Sequence, residues 1–531
     1  AMKARQAASM CWIAVLARLA WAGTALAASA VPAPMAPAAD AAASRQELGF
    51  PILRNFSRKE YAASAQNWAI VQDARGVIYV GNGAGVLEFD GLRWRLIPTA
   101  NKTTVRSLAV DSAGQVYVGA VGEIGTLEPD ASGRMRYVSL LDRIPPEARD
   151  FGDVWGTFAK PGGVYFLSHN RLFRLRGREF QVWNPQTVFH LAFNVRDRFF
   201  VREPSRGLKE LVDGRLQLVP GGEQFAERNV YAMLPWEGAS PTTQAAAAIL
   251  IGTDTQGLFV LDGTSLRAFP TQADAALKRD RLYAAARMGD GSLALGTNQG
   301  GVYFFDREGR FIRHLNKAKG LADDQILAVY PDRQAGLWLG LGRGIARVEA
   351  LSPQTRFDEQ AALPGTVYAL HRHQGRLYAG TSLGLFRLEA GPEPRFHPIP
   401  GVQSQTWDFL SVGDVLLVGN YLGLYEVSGD TAVLVWKSPR QVHALHASRA
   451  APGRVFVGLQ DGLVLLHREG GRWVDEGRIP DLTDTVRTLL ETADGRLWAG
   501  TRTSGVLRLS LPQPGATGLP SVQRFGTAEG L

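Results

Sequence analysis

Cysteine is almost absent: one residue, Cys11, in a chain of 531. A disulfide framework and a Cys-based zinc site are therefore excluded. Methionine is scarce as well, at six residues. After residue 30 no apolar run approaches the ~18 residues of a membrane-spanning helix. Charge of one sign is never concentrated; the densest basic stretch is Arg171 to Arg178 (RLFRLRGR), where Arg alternates with Leu and Phe as on the solvent face of a strand. Nucleic acid is accordingly not an expected partner, although the formal net charge is +8. His-Glu-x-x-His and Walker motifs are missing. Gly296 to Gly301 (GTNQGG) joins two strand-like runs and opens no helix, so it is not a phosphate loop. His371 and His373 could share a strand face, but no third ligand accompanies them. No catalytic residue, metal site or cofactor is expected.

What is present is glycine, 59 residues or about 11% against a usual ~7%. The start also stands out. Lys3 and Arg5 precede the apolar stretch Met10 to Trp21, and Ala25-Leu26-Ala27 and Ala28-Ser29-Ala30 offer small-x-small cleavage sites. Residues 1–30 thus read as a secretory signal peptide. Its removal takes the only Cys and three cations with it. Residues 31–48 read as an Ala/Pro-rich linker.

The remainder repeats. Val105 to Ala120 (VRSLAVDSAGQVYVGA), Val367 to Leu388 (VYALHRHQGRLYAGTSLGLFRL) and Val486 to Leu509 (VRTLLETADGRLWAGTRTSGVLRL) share one plan. An apolar run leads to a polar turn with Asp or Gly, then a short run with an aromatic, a Gly, and a third apolar run. The Gly after the second run recurs at Gly81, Gly119, Gly252, Gly296, Gly340, Gly380, Gly419, Gly458 and Gly500. Two further units, ending at Phe166 and Val201, lack it, which makes eleven at a period of about 42 residues. Runs of four to seven residues rich in Val, Leu, Tyr and Trp between Gly/Asp turns are strands. Three strands and a variable fourth, as in Leu92 to Ile97, form the blade of a β-propeller. The fold expected is all-β: one complete seven-bladed ring over 49–349 and a second, incomplete ring of about four blades over 350–531. The aromatic before the Gly (Tyr79, Tyr117, Trp338, Tyr378, Trp498) is expected to pack between blades, and Asp73 and Asp111 to close turns.

Gly320-Leu321 with Ile326 to Val348 (ILAVYPDRQAGLWLGLGRGIARV), Val486 to Leu509, and Asn67 to Gly91 (NWAIVQDARGVIYVGNGAGVLEFDG) resemble the two-component regulator propeller repeat. The resemblance covers about residues 50 to 531, with departures in units three to five (153–262), which carry an insertion at Gly238 to Ala248. It implies the periplasmic sensor region of a transmembrane signalling protein, anchored to the inner membrane. Its output domain, a histidine kinase, diguanylate cyclase or DNA-binding regulator, would follow. The ending Thr527-Ala528-Glu529-Gly530-Leu531 matches the lead-in Gly320-Leu321, so the chain is expected to stop inside the second ring, with membrane attachment downstream. The partners expected are a small molecule, a glycan or a periplasmic protein, and a second copy in the full-length protein. Two alternatives remain: a propeller enzyme similar to the streptogramin lyases, and a periplasmic scaffold for protein partners.

Propellers bind at the mouth of the central channel, where the innermost strands begin. The polar residues just ahead of each first run are Thr104, Asp153, Thr187, Asn229, Arg281, Gln325, Thr366, Thr406, Gln441 and Thr485. Polar groups around one opening make a specificity surface, and these are the ligand-binding candidates. Trp155 and Trp407, at the start of first strands, join them as stacking platforms.

Overall fold

A computed structural model describes residues 47–237, 248–391, 393–511 and 520–530. The signal segment, nearly all of the linker, and all of the insertion but Ala248 lie outside the described residues. Among the described residues, the unit from Gln46 onward holds eleven four-stranded antiparallel sheets and one two-stranded sheet. Ten sheets take their strands from consecutive sequence, innermost to outermost, as a meander. The first runs Asn67–Gln72, Ile78–Asn82, Gly85–Phe89, Trp94–Ile97. The protein is a β-propeller.

The strand pattern follows from which faces are covered. Second strands such as Ile78–Asn82, Leu293–Thr297 and Leu337–Leu341 are buried at every residue. They lie between neighbouring blades, so both faces need apolar side chains, and the sequence reads as an unbroken run. Outer strands such as Glu179–Trp183 face solvent and alternate. The turn acids act as expected. Asp111 Oδ1 accepts hydrogen bonds from the amides of Ala113 and Gln115, and Asp332 Oδ1 from those of Gln334 and Gly336. Asp332 also takes the indole N–H of Trp338 at 3.0 Å, and Asp111 the hydroxyl of Tyr117 at 3.2 Å. The recurrent aromatic thus fastens the first hairpin, and Tyr79, Trp338 and Tyr378 each sit in an apolar cluster.

Blade seven departs from the repeat. Its inner three strands are Ile326–Pro331, Leu337–Leu341 and Gly344–Val348, but its outermost strand is Leu53–Phe56, paired from Leu53↔Val348 to Phe56↔Ile345. The two ends of the ring are therefore joined by strand pairing. Buried clusters pass from each blade to the next, and the last of them returns from Phe56, Trp338 and Ile345 of blade seven to Ile70, Val80 and Phe89 of blade one. Blades eight to eleven begin at Val367, Thr406, Val442 and Val486. Among the described residues their clusters join eight to nine, nine to ten and ten to eleven, and none joins eleven to eight.

The repeated glycine has a physical reason here. A Cβ on Gly119 would come 2.6 Å from Val154 of the next blade, on Gly252 2.4 Å from Leu282, and on Gly296 2.5 Å from Ile326. On Gly340 it would meet the Asn67 carbonyl of blade one at 2.5 Å, which marks the closing contact of the ring. Where the glycine is present, the next blade lays the start of its inner strand on bare backbone. The chain segment ahead of blade one also reaches blade eight: Phe50–Pro51 pairs with Thr355–Arg356, and Glu47 receives Arg372 at 2.9 and 2.6 Å.

Candidate functional site: the central channel

Among the described residues all the inner strands but that of blade four, Ala192–Val195, share one irregularity. Their pairing with the second strand slips between Asn67 and Ala69, Val105 and Ser107, Val154 and Gly156, Val230 and Ala232, Leu282 and Ala284, and Ile326 and Ala328. The same slip occurs in blades eight to eleven. Each slip is a β-bulge, in which two residues oppose one and the extra side chain is re-aimed. The skipped residues of the first ring are Trp68, Arg106, Trp155, Tyr231, Tyr283 and Leu327. The small residue that follows lets the strand sit on the repeat glycine, as Ala328 does 3.1 Å from a Cβ at Gly340.

Ring contacts show where these side chains go. Trp68 of blade one lies 6.0 Å from Trp155 of blade three, a contact that skips blade two. Arg106 of blade two packs on both indoles, 4.1 Å and 4.6 Å from their centres. His190, just ahead of blade four, lies 5.1 Å from Tyr231, which lies 5.1 Å from Tyr283. Five of the six skipped residues therefore meet side chains of other blades, as groups lining a central channel do. Burial, aided by the charge of Arg202 and the neighbouring His169, pushes the His190 imidazole down to about 4, so it is neutral at pH 7. Burial, with Tyr231 alongside, pushes the Tyr283 phenol up to about 12. Trp68 Nε1, Arg106 Nε and His190 Nδ1 are buried without a hydrogen-bond partner among the described residues. Buried polar atoms are normally satisfied, so each of these three calls for a partner.

The residues expected from the sequence divide between two sets of blades. Thr104, Asp153, Trp155, Thr187, Asn229, Arg281 and Gln325 belong to the first ring; Thr366, Thr406, Trp407, Gln441 and Thr485 belong to blades eight to eleven. Several of them latch one blade to the last. Thr104 donates to the Gly83 carbonyl at 3.3 Å, Gln325 to Asn298 at 2.8 Å, and Thr485 to the Gln460 carbonyl at 2.7 Å. Arg281 faces Asp254 at 3.6 Å, and Asn229 donates to the same carboxylate at 3.4 Å. Asp153 stands 3.4 Å from Arg106. Thr187 binds Glu203 and the Pro204 carbonyl, five residues ahead of the inner strand that starts at Ala192. The Thr366 amide donates to Ser382, and the Gln441 carbonyl accepts from the Gln460 amide. Thr406 is the first residue inside its strand and fully buried, so the residue equivalent to Asp153 there is Gln405.

Trp155 and Trp407 both occupy skipped positions. Trp407 stacks on Tyr368 at 4.1 Å, meets His443 at 4.6 Å, and lies under Arg487, which donates to His443 Nδ1 at 3.1 Å. Sequence reasoning had passed over Trp68, Arg106, His190, Tyr231, Tyr283, Tyr368, His443 and Arg487. The available signal was a bulky residue between an apolar or polar strand starter and a small one, as in Asn67-Trp68-Ala69 and Val442-His443-Ala444. His371 and His373 both contact Ser411 Oγ at 2.8 Å.

Residues 482–503, in the last blade, match the model of the two component regulator propeller family. The chain carries the two-component regulator propeller repeat. No curated protein matches the sequence. Among solved structures, the extracellular domain of a hybrid two component system from B. thetaiotaomicron aligns with 91% of this chain and 73% of its own, at 15% identity and a TM-score of 0.62. The likeness is one of fold. The extracellular domain of a one component system from the same organism aligns over 89% and 73% at 16% identity and a TM-score of 0.44. Virginiamycin B lyase from Staphylococcus aureus aligns over 56% and 98% at 11% identity and a TM-score of 0.41. At those last two scores neither alignment bears on the function of this propeller.

Proposed function

We propose that this chain is the sensing region of an exported, membrane-attached signalling protein, and that the ligand or partner it senses engages the channel of the first ring. The carrying observation is the set of bulged side chains, Trp68, Arg106, Trp155, Tyr231 and Tyr283, brought from five blades to one axis. A packed blade does not require aromatic and cationic groups there, because its cores lie between the sheets. The segment from Glu47 to Phe56 supports the signalling half of the reading. It closes the first ring and holds blade eight, so a change at the first ring has a covalent and hydrogen-bonded route to the next blades. The output lies in a kinase, cyclase or DNA-binding part of the full-length protein, and the setting is the periplasm.

The test is made in the full-length protein in its own cell. Trp155→Ala and Tyr231→Ala should alter the output, read as the transcripts it controls, while the protein level stays unchanged. Output identical to wild type in both variants would end the proposal. In parallel, the chain from residue 47 is screened by melting temperature against glycans, peptides and envelope metabolites. A stabilising compound should lose its effect on Trp155→Ala.

A further inference from the structure

Arg106 is placed unusually for a cation that is mostly withdrawn from water. Its side chain is 18% exposed. Its guanidinium faces are occupied by Trp68 and Trp155, so only the terminal nitrogens at its edge are open to the channel. One carboxylate is near, Asp153, at 3.4 Å, and no described residue accepts a hydrogen bond from Arg106 at normal length. A guanidinium carries five donors and ordinarily forms short, paired bonds with an anion. The other charged groups of the channel are already engaged. Asp254 answers Arg281 and Asn229, and Arg202 is capped by the carbonyls of Phe225 and Ala226 at 3.1 and 2.7 Å. Tyr231, Tyr283 and the neutral His190 pack on one another, and His169 lies 5.8 Å from Trp155. The channel thus offers flat aromatic faces beside a guanidinium whose one carboxylate stands beyond normal hydrogen-bond length.

We propose that the first-ring channel binds a small planar organic anion, an aromatic ring bearing a carboxylate or phosphate, with its oxyanion on the edge of Arg106 and its ring against the channel aromatics. This rests on the channel being the sensing site, but concerns only the chemistry of what enters it. Asp153 competes with the ligand for Arg106 and repels it, so its charge sets the affinity.

Isothermal titration of the chain from residue 47 with benzoate and with phenyl phosphate tests this, with benzyl alcohol and benzylamine as neutral and cationic ring controls. At least one anion should bind, each control at least about tenfold more weakly, since a buried charged pair is worth more than one decade of affinity. Whichever anion binds names the oxyanion. Arg106→Gln should weaken binding roughly tenfold or more, and Arg106→Lys less, as a point charge without the planar fork. Asp153→Asn should tighten it by about threefold to tenfold, an effect that loss of structure would not produce. If Arg106→Gln does not fold, Arg106→Lys and Asp153→Asn carry the test. Benzyl alcohol or benzylamine binding as well as the anions would overturn the ligand class and leave the sensing channel standing. No anion binding at millimolar concentration, or Asp153→Asn weakening it, would also overturn the class. The sensing role falls only on unchanged output in the channel variants of the full-length protein.

Discussion

Gly340→Ala is expected to loosen the closure of the first ring by about 1 kcal/mol. The new Cβ would stand 2.5 Å from the carbonyl oxygen of Asn67 and 3.1 Å from the Ala328 Cβ. An ordinary carbon–oxygen contact is nearly 1 Å longer, so one strand must retreat. Asn67 is not free to do so. It is fully buried, its side-chain amide donates to the carbonyls of Ala65 and Gly344 at 2.9 and 2.7 Å, and it accepts from Asn82 at 2.8 Å. Overpacking of this kind costs about 1–3 kcal/mol. Alanine recovers roughly 0.4–1 kcal/mol by narrowing the unfolded chain, which leaves a net loss. Gly500→Ala is the matched control. Its Cβ would meet only Thr488, at the exposed end of its own hairpin, and that methyl can rotate away. Thermal melting followed by tryptophan fluorescence reads the difference, since ~1 kcal/mol lowers the midpoint of a ring this size by about 1–2 °C. Gly340→Ala should melt lower than both wild type and Gly500→Ala. Equal shifts, or a higher midpoint for Gly340→Ala, would refute the view that this glycine exists to seat the next blade.

Other outcomes follow from the same geometry. Phe56→Ala removes a side chain 2% exposed, packed on Phe89, Trp94 and Trp338 at 5.3 to 5.5 Å, and should cost about 3–5 kcal/mol in equilibrium unfolding. Burial raises the Asp408 carboxyl to about 6, against the bonds it accepts from the amides of Leu445 and Phe409. The folded state then holds a proton that the unfolded chain releases near pH 4, so stability falls by up to about 3 kcal/mol as pH rises from 4 to 6. Asp408→Asn should match wild type near pH 4 and melt higher at pH 7.5; a difference independent of pH would contradict this. His190 shows the opposite slope. Its folded value of about 4 lies below that of the unfolded chain, so its share of stability is full above pH 6.5 and is lost as pH falls toward 4. His190→Phe should flatten the melting curve against pH in that window.

The repeat could be read from the chain because propeller chemistry is local. Turn acids such as Asp111 and Asp332 bond to amides two and four residues on, and the aromatic that fastens them lies six residues away. The glycine announces itself because a steric demand from the next blade forbids any side chain. Its absence from the units ending at Phe166 and Val201 coincides with different packing, where Tyr165 and Leu167 meet Phe189, Phe199 and Val201. The candidate site was less legible. The polar residues ahead of each run were visible, but several of them latch neighbouring blades through pairs such as Gln325 and Asn298.

Composition, period and turn chemistry alone determined that this protein is a propeller of about eleven blades, because each blade repeats its own short-range bonds. Two matters were decided only in three dimensions. The outer strand of blade seven is Leu53–Phe56, brought across nearly 300 residues to pair with Gly344–Val348, and a strand of four residues carries no mark of a partner so remote. The channel side chains are set by a bulge, which shifts Trp68, Arg106 and Trp155 out of the two-residue alternation that sequence patterns assume. Trp155 and Trp407 stand at such slips, whereas most of the polar candidates stand just ahead of the strand.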